Sequence, residues 1–235
     1  MSLLTAEKVN IARGTNELFP VFLKLDNFYT LLVGAGNVGL EKVSAMLNNS
    51  PEACISVVAT TVSAEFAAYV APYANVSVHQ RPFEDEDLEG VSLVVLATDH
   101  FPLHQYIYEL CKERGVLLNV ADTPELCDMY LGSIVQKGNL KIAISTNGKS
   151  PTMAKRLKEV LNESLPAEVD DALHHLSRLR DRLKGDFSYK VKRMNEYTAE
   201  LAEPGKRVSV SQNVWRLLIA AVAILSVLIL LMILI

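Results

Sequence analysis

The sequence predicts an α/β fold: a doubly wound parallel sheet, then a small β segment, a helical region and a single C-terminal transmembrane helix. Three observations predict it. Apolar strand-like runs alternate with helix-like stretches as far as residue 122, the rhythm that builds parallel sheets. The stretch "TLLVGAGNVGLEKV", Thr30–Val43, joins the first such run to the first helix through three glycines. The run "LLIAAVAILSVLILLMILI", Leu217–Ile235, carries no charge.

Taken in order, "FYTLLV" (Phe28–Val33) is the first strand and Asn37–Asn48 the first helix. "CISVVA" (Cys54–Ala59) is rich in β-branched residues and forms the second strand. Ser63–Tyr73 is a helix capped by Ser63, and "NVSVHQ" (Asn75–Gln80) alternates as a third strand should. "SLVVLAT" (Ser92–Thr98) is apolar nearly throughout, as a central parallel strand must be. Pro102–Gly115 begins with Pro and ends with Gly, the normal helix asymmetry, and "VLLNVAD" (Val116–Asp122) is the next strand.

The rhythm then breaks. Tyr130–Thr146 holds two strand-like runs around Lys137-Gly138-Asn139, a hairpin or extended pair with no helix between. Ser150 can cap the following helix, with Pro151 at its first position. Two amphipathic helices follow, separated at Gly185. The expected organisation is an arm (residues 1–18), the sheet domain (19–122), a β segment (123–149), a helical domain (150–203), a linker (204–216) and the apolar tail (217–235).

Composition excludes some classes. The net charge of the 235 residues is −4, and no basic stripe suggests nucleic acid as a partner. Cys54, Cys111 and Cys127 have no metal-ligand spacing and fit a reducing compartment. No secretory pattern opens the chain. The tail, as a helix, would reach about 28 Å, against a hydrocarbon core of about 30 Å. Arg207, Trp215 and Arg216 suit its flank. The expectation is a cytoplasmic catalytic part anchored to the cytoplasmic membrane.

The glycine turn carries the clearest chemistry. G-x-G-x-x-G after a strand and before a helix is a dinucleotide-binding signature. Gly34 permits the tight turn, Gly36 lets backbone amides approach a pyrophosphate, and Gly39 lets the helix pack against the sheet. The acid that usually holds the ribose about twenty residues further on is missing; Thr60 and Thr61 stand near its place. Neither repels a 2′-phosphate, so NAD and NADP both stay open. Asp99 and Asp122 follow the fourth and fifth strands, at the edge where such sheets bind ligands. Each is either a proton or cation acceptor or a turn residue, and Thr98, beside Asp99, joins the cofactor set. Lys149, Lys155 and Arg156 surround the helix start at Ser150 and Pro151, either a site for substrate carboxylates or a solvated face. His100 and His104 are four apart, but Pro102 places His100 before the helix, and a metal site needs further ligands. The metal ligands are therefore unknown from the sequence.

"NVADTPELCD" (Asn119–Asp128) and "IAISTNGKSPTMAKRL" (Ile142–Leu157), with the segment "FPVFLKLDNFYTLLVGAGNVGLEKV" (Phe19–Val43), resemble the precorrin-2 dehydrogenase / sirohydrochlorin ferrochelatase family of siroheme synthesis. The resemblance runs from about Phe19 to Pro166. It implies a Rossmann-type NAD-binding domain, a dimerisation segment at Tyr130–Thr146 and a helical domain closing a tetrapyrrole site. It implies NAD-dependent oxidation of precorrin-2 to sirohydrochlorin, with Asp122, in the family's NV-x-D position, as general base. Asn37, Val38, Thr60 and Thr61 match the family's cofactor positions; Lys149, Ser150, Lys155 and Arg156 stay the candidate substrate contacts read from the basic helix start. Some members also insert Fe²⁺, which leaves ferrochelation open. The competing expectation is a nucleotide-sensing regulatory domain attached to the membrane.

Overall fold

A computed structural model of the chain describes residues 16–202. Strand β1 (Tyr29–Ala35) runs up the middle of a five-stranded sheet and feeds helix α1 (Asn37–Asn49). Then come β2 (Cys54–Val62), α2 (Ala64–Val70), β3 (Val76–His79), β4 (Leu93–Leu96), α3 (Phe101–Arg114) and β5 (Leu117–Val120). The strand order is β3-β2-β1-β4-β5 and every pairing is parallel. The order reverses direction on either side of β1, so a crevice opens at the carboxyl ends of β1 and β4, where such sheets hold ligands.

Alternation along the strands sorts side chains onto two faces. Leu32, Ile55, Val57 and Val95 point to one face and pack with Val43, Met46 and Leu47 of α1 and Phe66 of α2. Leu31, Val33, Val94, Leu96 and Leu118 point to the other and pack with Ile107 and Cys111 of α3. The sheet is thus buried on both sides, which is why its central strands read as unbroken apolar runs.

Local signals set the element ends. The Ser63 hydroxyl accepts from the Phe66 amide (3.1 Å) and starts α2. Gly115 takes a left-handed conformation (φ 67°) and ends α3. Helix α3 begins one residue earlier than Pro102, because the His100 ring accepts from the Leu103 amide (3.2 Å) and caps it.

The break after β5 is a hairpin. β6 (Ser133–Lys137) and β7 (Leu140–Ile144) pair antiparallel across Gly138 and Asn139, with Gly138 at φ 55°. Helix α4 (Pro151–Ser164) packs on this pair, and the Ser150 hydroxyl accepts from the Met153 amide (3.2 Å) as its cap. Lys141 ties the hairpin to the sheet domain by donating to the Asn49 carbonyl (3.0 Å). The chain divides into two compact units between Pro166 and Ala167, so α4 belongs with the sheet domain. The second unit contributes α5 (Val169–Arg182) and α6 (Phe187–Ala202), on either side of Gly185 (φ 134°).

One part of the expected fold class is corrected. Among the described residues no helix is long and apolar enough to cross a membrane. The longest, α6, has 16 residues, about 24 Å at ~1.5 Å per residue, and it carries Lys190, Lys192, Arg193 and Glu196. Over the described residues the fold class is therefore an α/β sheet domain with a hairpin and helices, none of which is a transmembrane helix. The run Leu217–Ile235, the linker 204–216 and most of the arm 1–18 lie outside the described residues.

Candidate active site

The glycine turn shows why each glycine is needed. Gly34 has φ 108°, and a Cβ there would lie 2.4 Å from the Ala97 carbonyl oxygen. A Cβ on Gly39 would lie 2.3 Å from the Gly34 carbonyl oxygen, so the helix could not approach the strand. Gly36 faces open space, with nothing within 4 Å of its absent Cβ. It caps α1 without a side-chain hydrogen bond, and the first intrahelical bond is donated by Leu40 to the Gly36 carbonyl (2.8 Å). The amides of Asn37, Val38 and Gly39 are therefore left over at a helix N-terminus with no acid in its first turn, a ready place for a pyrophosphate.

This turn forms one wall of a cleft of about 480 Å³, with Gly36, Asn37 and Val38 on one side and Ala97, Thr98, Asp99, Phe101 and His104 beside them. Ala121, Asp122 and Thr123 complete it. Asp122 follows β5 at φ 57°, a left-handed conformation that is uncommon for a residue with a side chain. Its carboxylate is exposed and has no hydrogen bond or ion pair with another described residue. Such outliers cluster at functional sites, where the surroundings enforce them.

The enforcement is visible. The Cys127 thiol accepts from the Val120 amide (3.2 Å) and donates to the Val120 carbonyl (3.2 Å). Asn119 donates to the Met129 carbonyl (2.9 Å). Asp128 accepts from the Leu118 amide (3.1 Å) and pairs with Lys112. Residues 127–129 are thus folded back on β5 and close the loop that carries Asp122. Burial pushes the Cys127 thiol up, the bond from the Val120 amide opposing it, and raises Cys111 to about 11. Both therefore act as neutral packing groups.

Of the sequence-predicted cofactor residues, Gly36, Asn37, Val38 and Thr98 line the cleft with Asp122, and Gly34 and Gly39 form the turn beneath. Thr60 and Thr61 are exposed near the end of β2 and do not line it; Gln80 donates to the Thr60 carbonyl (3.4 Å). Lys149, Ser150, Lys155 and Arg156 gather at the start of α4 and do not line it either. Ser150 is occupied as the helix cap, Arg156 pairs with Glu159 (3.0 Å), and Lys149 and Lys155 are exposed. No group of three His, Cys, Asp or Glu among the described residues is arranged to hold a metal.

The site residue that sequence reasoning passed over is His104. It is 3 % exposed, and its Nε2 lies 2.8 Å from Thr98 Oγ1. Burial pushes its pKa below the usual histidine range and nearby His100 adds to this; the Thr98 backbone and Asp99 oppose it. The only signal in the sequence is its place four residues after the His100 cap, on the face of α3 shared with Ile107 and Cys111.

Known proteins show the same combination. A family of NAD(P)-binding domains matches residues 21–133, and the central region of sirohaem biosynthesis proteins matches residues 137–164. The siroheme synthase of Thioalkalivibrio sulfidiphilus is 37% identical over 151 residues, covering 64% of this chain and 30% of that protein. Siroheme synthase 1 of Aeromonas salmonicida is 33% identical over 172 residues, covering 73% and 36%. The solved structure of SirC, a precorrin-2 dehydrogenase, superposes with a TM-score of 0.62 at 27% identity, covering 83% of this chain and 94% of that one. In both parts the chain is similar to siroheme synthases and to a precorrin-2 dehydrogenase. It spans about a third of the length of the curated siroheme synthases it matches, but nearly the whole of SirC. The match of residues 137–164 covers the second hairpin strand and the whole of α4, elements that a plain dinucleotide-binding sheet does not need.

Proposed function

We propose that this protein oxidises precorrin-2 to sirohydrochlorin with NAD as the hydride acceptor. The observation that carries the reading is the cleft itself, where the unpaired amides of α1 and the exposed carboxylate of Asp122 face the same space. The near-complete superposition on a precorrin-2 dehydrogenase supports the substrate. The open side of Gly36 fits a dinucleotide, because a Cβ there would project into the cleft and nothing of the protein fills its place.

Held at this turn, NAD⁺ would supply a two-electron hydride acceptor, and the oxidation would also release one proton. The chain's residues do the rest. The amides at Asn37, Val38 and Gly39 bind the pyrophosphate, stabilised by the helix dipole. Asp122 would accept the proton, whose bonding pair stays on the substrate while the other hydrogen departs with its pair as hydride; general-base catalysis of this kind contributes about 10²–10⁴-fold. Lys149, Lys155 and the helix start at Ser150 suit the carboxylates of a tetrapyrrole. The nucleotide-sensing alternative offers no role for the exposed carboxylate of Asp122 at the cleft.

Mixing the protein with precorrin-2 and NAD⁺ and following the absorbance tests the reading; a folded protein that yields no sirohydrochlorin refutes it. The same carboxylate can receive pyrrole protons, so ferrochelation is the second activity to assay, with Fe²⁺ or Co²⁺ and sirohydrochlorin in the presence and absence of protein. The outer edges of β6 and β7 are unpaired among the described residues, which supports a homodimer formed through this pair. The three free cysteines support a reducing, cytoplasmic compartment.

A further inference from the structure

The cleft holds one buried titratable side chain that the proposed chemistry leaves without a task. His104 sits in the first turns of α3 and lines the cleft beside Thr98. Its Nε2 is 2.8 Å from Thr98 Oγ1, while its Nδ1 is buried with no hydrogen-bond partner among the described residues. A neutral imidazole has one N–H and one lone pair. A buried N–H without an acceptor is the rarer and costlier orphan. The proton therefore belongs on Nε2, and the lone pair on Nδ1 is the group left over.

That tautomer dictates what Thr98 does. Nε2–H donates to Thr98 Oγ1, so the hydroxyl accepts from the ring and its own proton must be given elsewhere. Thr98 is half-buried and lines the cleft. Its methyl is pinned against the glycine turn, since a Cβ on Gly34 would lie 2.9 Å from Thr98 Cγ2. The rotamer is held from both sides, by the ring on the hydroxyl and by the turn on the methyl.

We infer, resting on the reading that the cleft takes NAD, that His104 is a positioning residue that presents the Thr98 hydroxyl as a hydrogen-bond donor to the bound dinucleotide. The depressed basicity of the ring keeps it neutral near pH 7, and the groups facing it are Thr98, Asp99 and His100. Neutrality matters because a second proton would fall on Nδ1, where the structure offers no acceptor.

The test is calorimetric titration of NAD⁺ into the full chain and into His104→Leu, His104→Asn, Thr98→Val and the double variant His104→Leu/Thr98→Val. His104→Leu and Thr98→Val should each weaken binding about three- to ten-fold, the share of one neutral hydrogen bond. The double variant should bind no more weakly than the worse single one, because both changes act through one hydroxyl. His104→Asn, which keeps an N–H donor, should recover most of the affinity, and ¹⁵N spectra of the wild-type ring should show the proton on Nε2. A folded wild type that does not bind NAD⁺ overturns the assignment of the cleft itself. A wild type that binds, with additive losses in the double variant or with the ring proton on Nδ1, overturns the role of His104 alone. Should His104→Leu fail to fold, Thr98→Val leaves the ring in place, and unchanged affinity in that variant overturns the inference.

Discussion

At the scale of single residues, the site depends on backbone conformations that few side chains accept. Asp122 stands at φ 57°, where glycine would be unstrained. Asp122→Gly should therefore keep or slightly raise the melting temperature while lowering the dehydrogenase rate by about 10²-fold or more. Asp122→Ala should lose the rate and leave NAD⁺ affinity within about two-fold, an order-of-magnitude expectation for a group that handles the substrate proton. An Asp122→Ala protein with the full rate would sink the assignment. Gly39→Ala tests the turn, because its Cβ would collide with the Gly34 carbonyl at 2.3 Å; weakened NAD⁺ binding and a lower melting temperature are expected. His104 gives a pH signature. Its folded pKa is depressed, so the unfolded chain binds the proton more readily, and the stability due to its neutral form is complete above about pH 6.5. That contribution is lost as pH falls from there through the folded pKa. Wild type should lose stability on acidification in that range, and His104→Asn should lose less, as measured by urea denaturation at several pH values. Among these residues the glycines and Asp122 were legible in the sequence, because both have fixed offsets from strand ends. His104 was not, since nothing in its neighbours reveals that its ring turns in toward Thr98.

At the scale of elements, the strands and helices of the sheet domain follow their sequence signals closely, and the differences have local causes. β2 runs on to Val62, three residues past the apolar run, because Ala35 pairs with Val62 across a register shift in β1. α2 ends at Val70 rather than Tyr73, and Tyr73 instead packs at the rim of the core as its amide bonds the Val70 carbonyl (2.9 Å). Ser63→Ala should cost about 1 kcal/mol by removing the cap of α2. Phe66, fully buried beneath α1, should cost about 3–5 kcal/mol when truncated to Ala. Denaturant midpoints check both, and a Phe66→Ala loss no larger than that of Ser63→Ala would contradict the core described here.

At the scale of the whole molecule, the first compact unit joins a dinucleotide-binding sheet to a hairpin and helix, and the NAD(P)-binding and sirohaem-biosynthesis matches fall on these two parts in turn. If the hairpin edges meet a second copy, sedimentation should find a two-chain species; a monomer at every concentration would remove that part of the proposal. The membrane helix expected from Leu217–Ile235 finds no counterpart among residues 16–202, whose helices are short and charged on at least one face.

The sequence by itself determined the parallel sheet, the glycine turn, the resemblance to siroheme-synthesis proteins and the place of Asp122 just after the fifth strand, because strand periodicity, glycine spacing and short motifs are local and survive being read in one dimension. Only the tertiary structure decided which candidates share a space. It brought Gly36, Asn37, Val38, Thr98 and Asp122 to one cleft and left Thr60, Thr61 and the residues around Ser150 off its walls. It also turned His104 inward. Those outcomes depend on strand order and helix packing, which set distances between residues far apart in the chain.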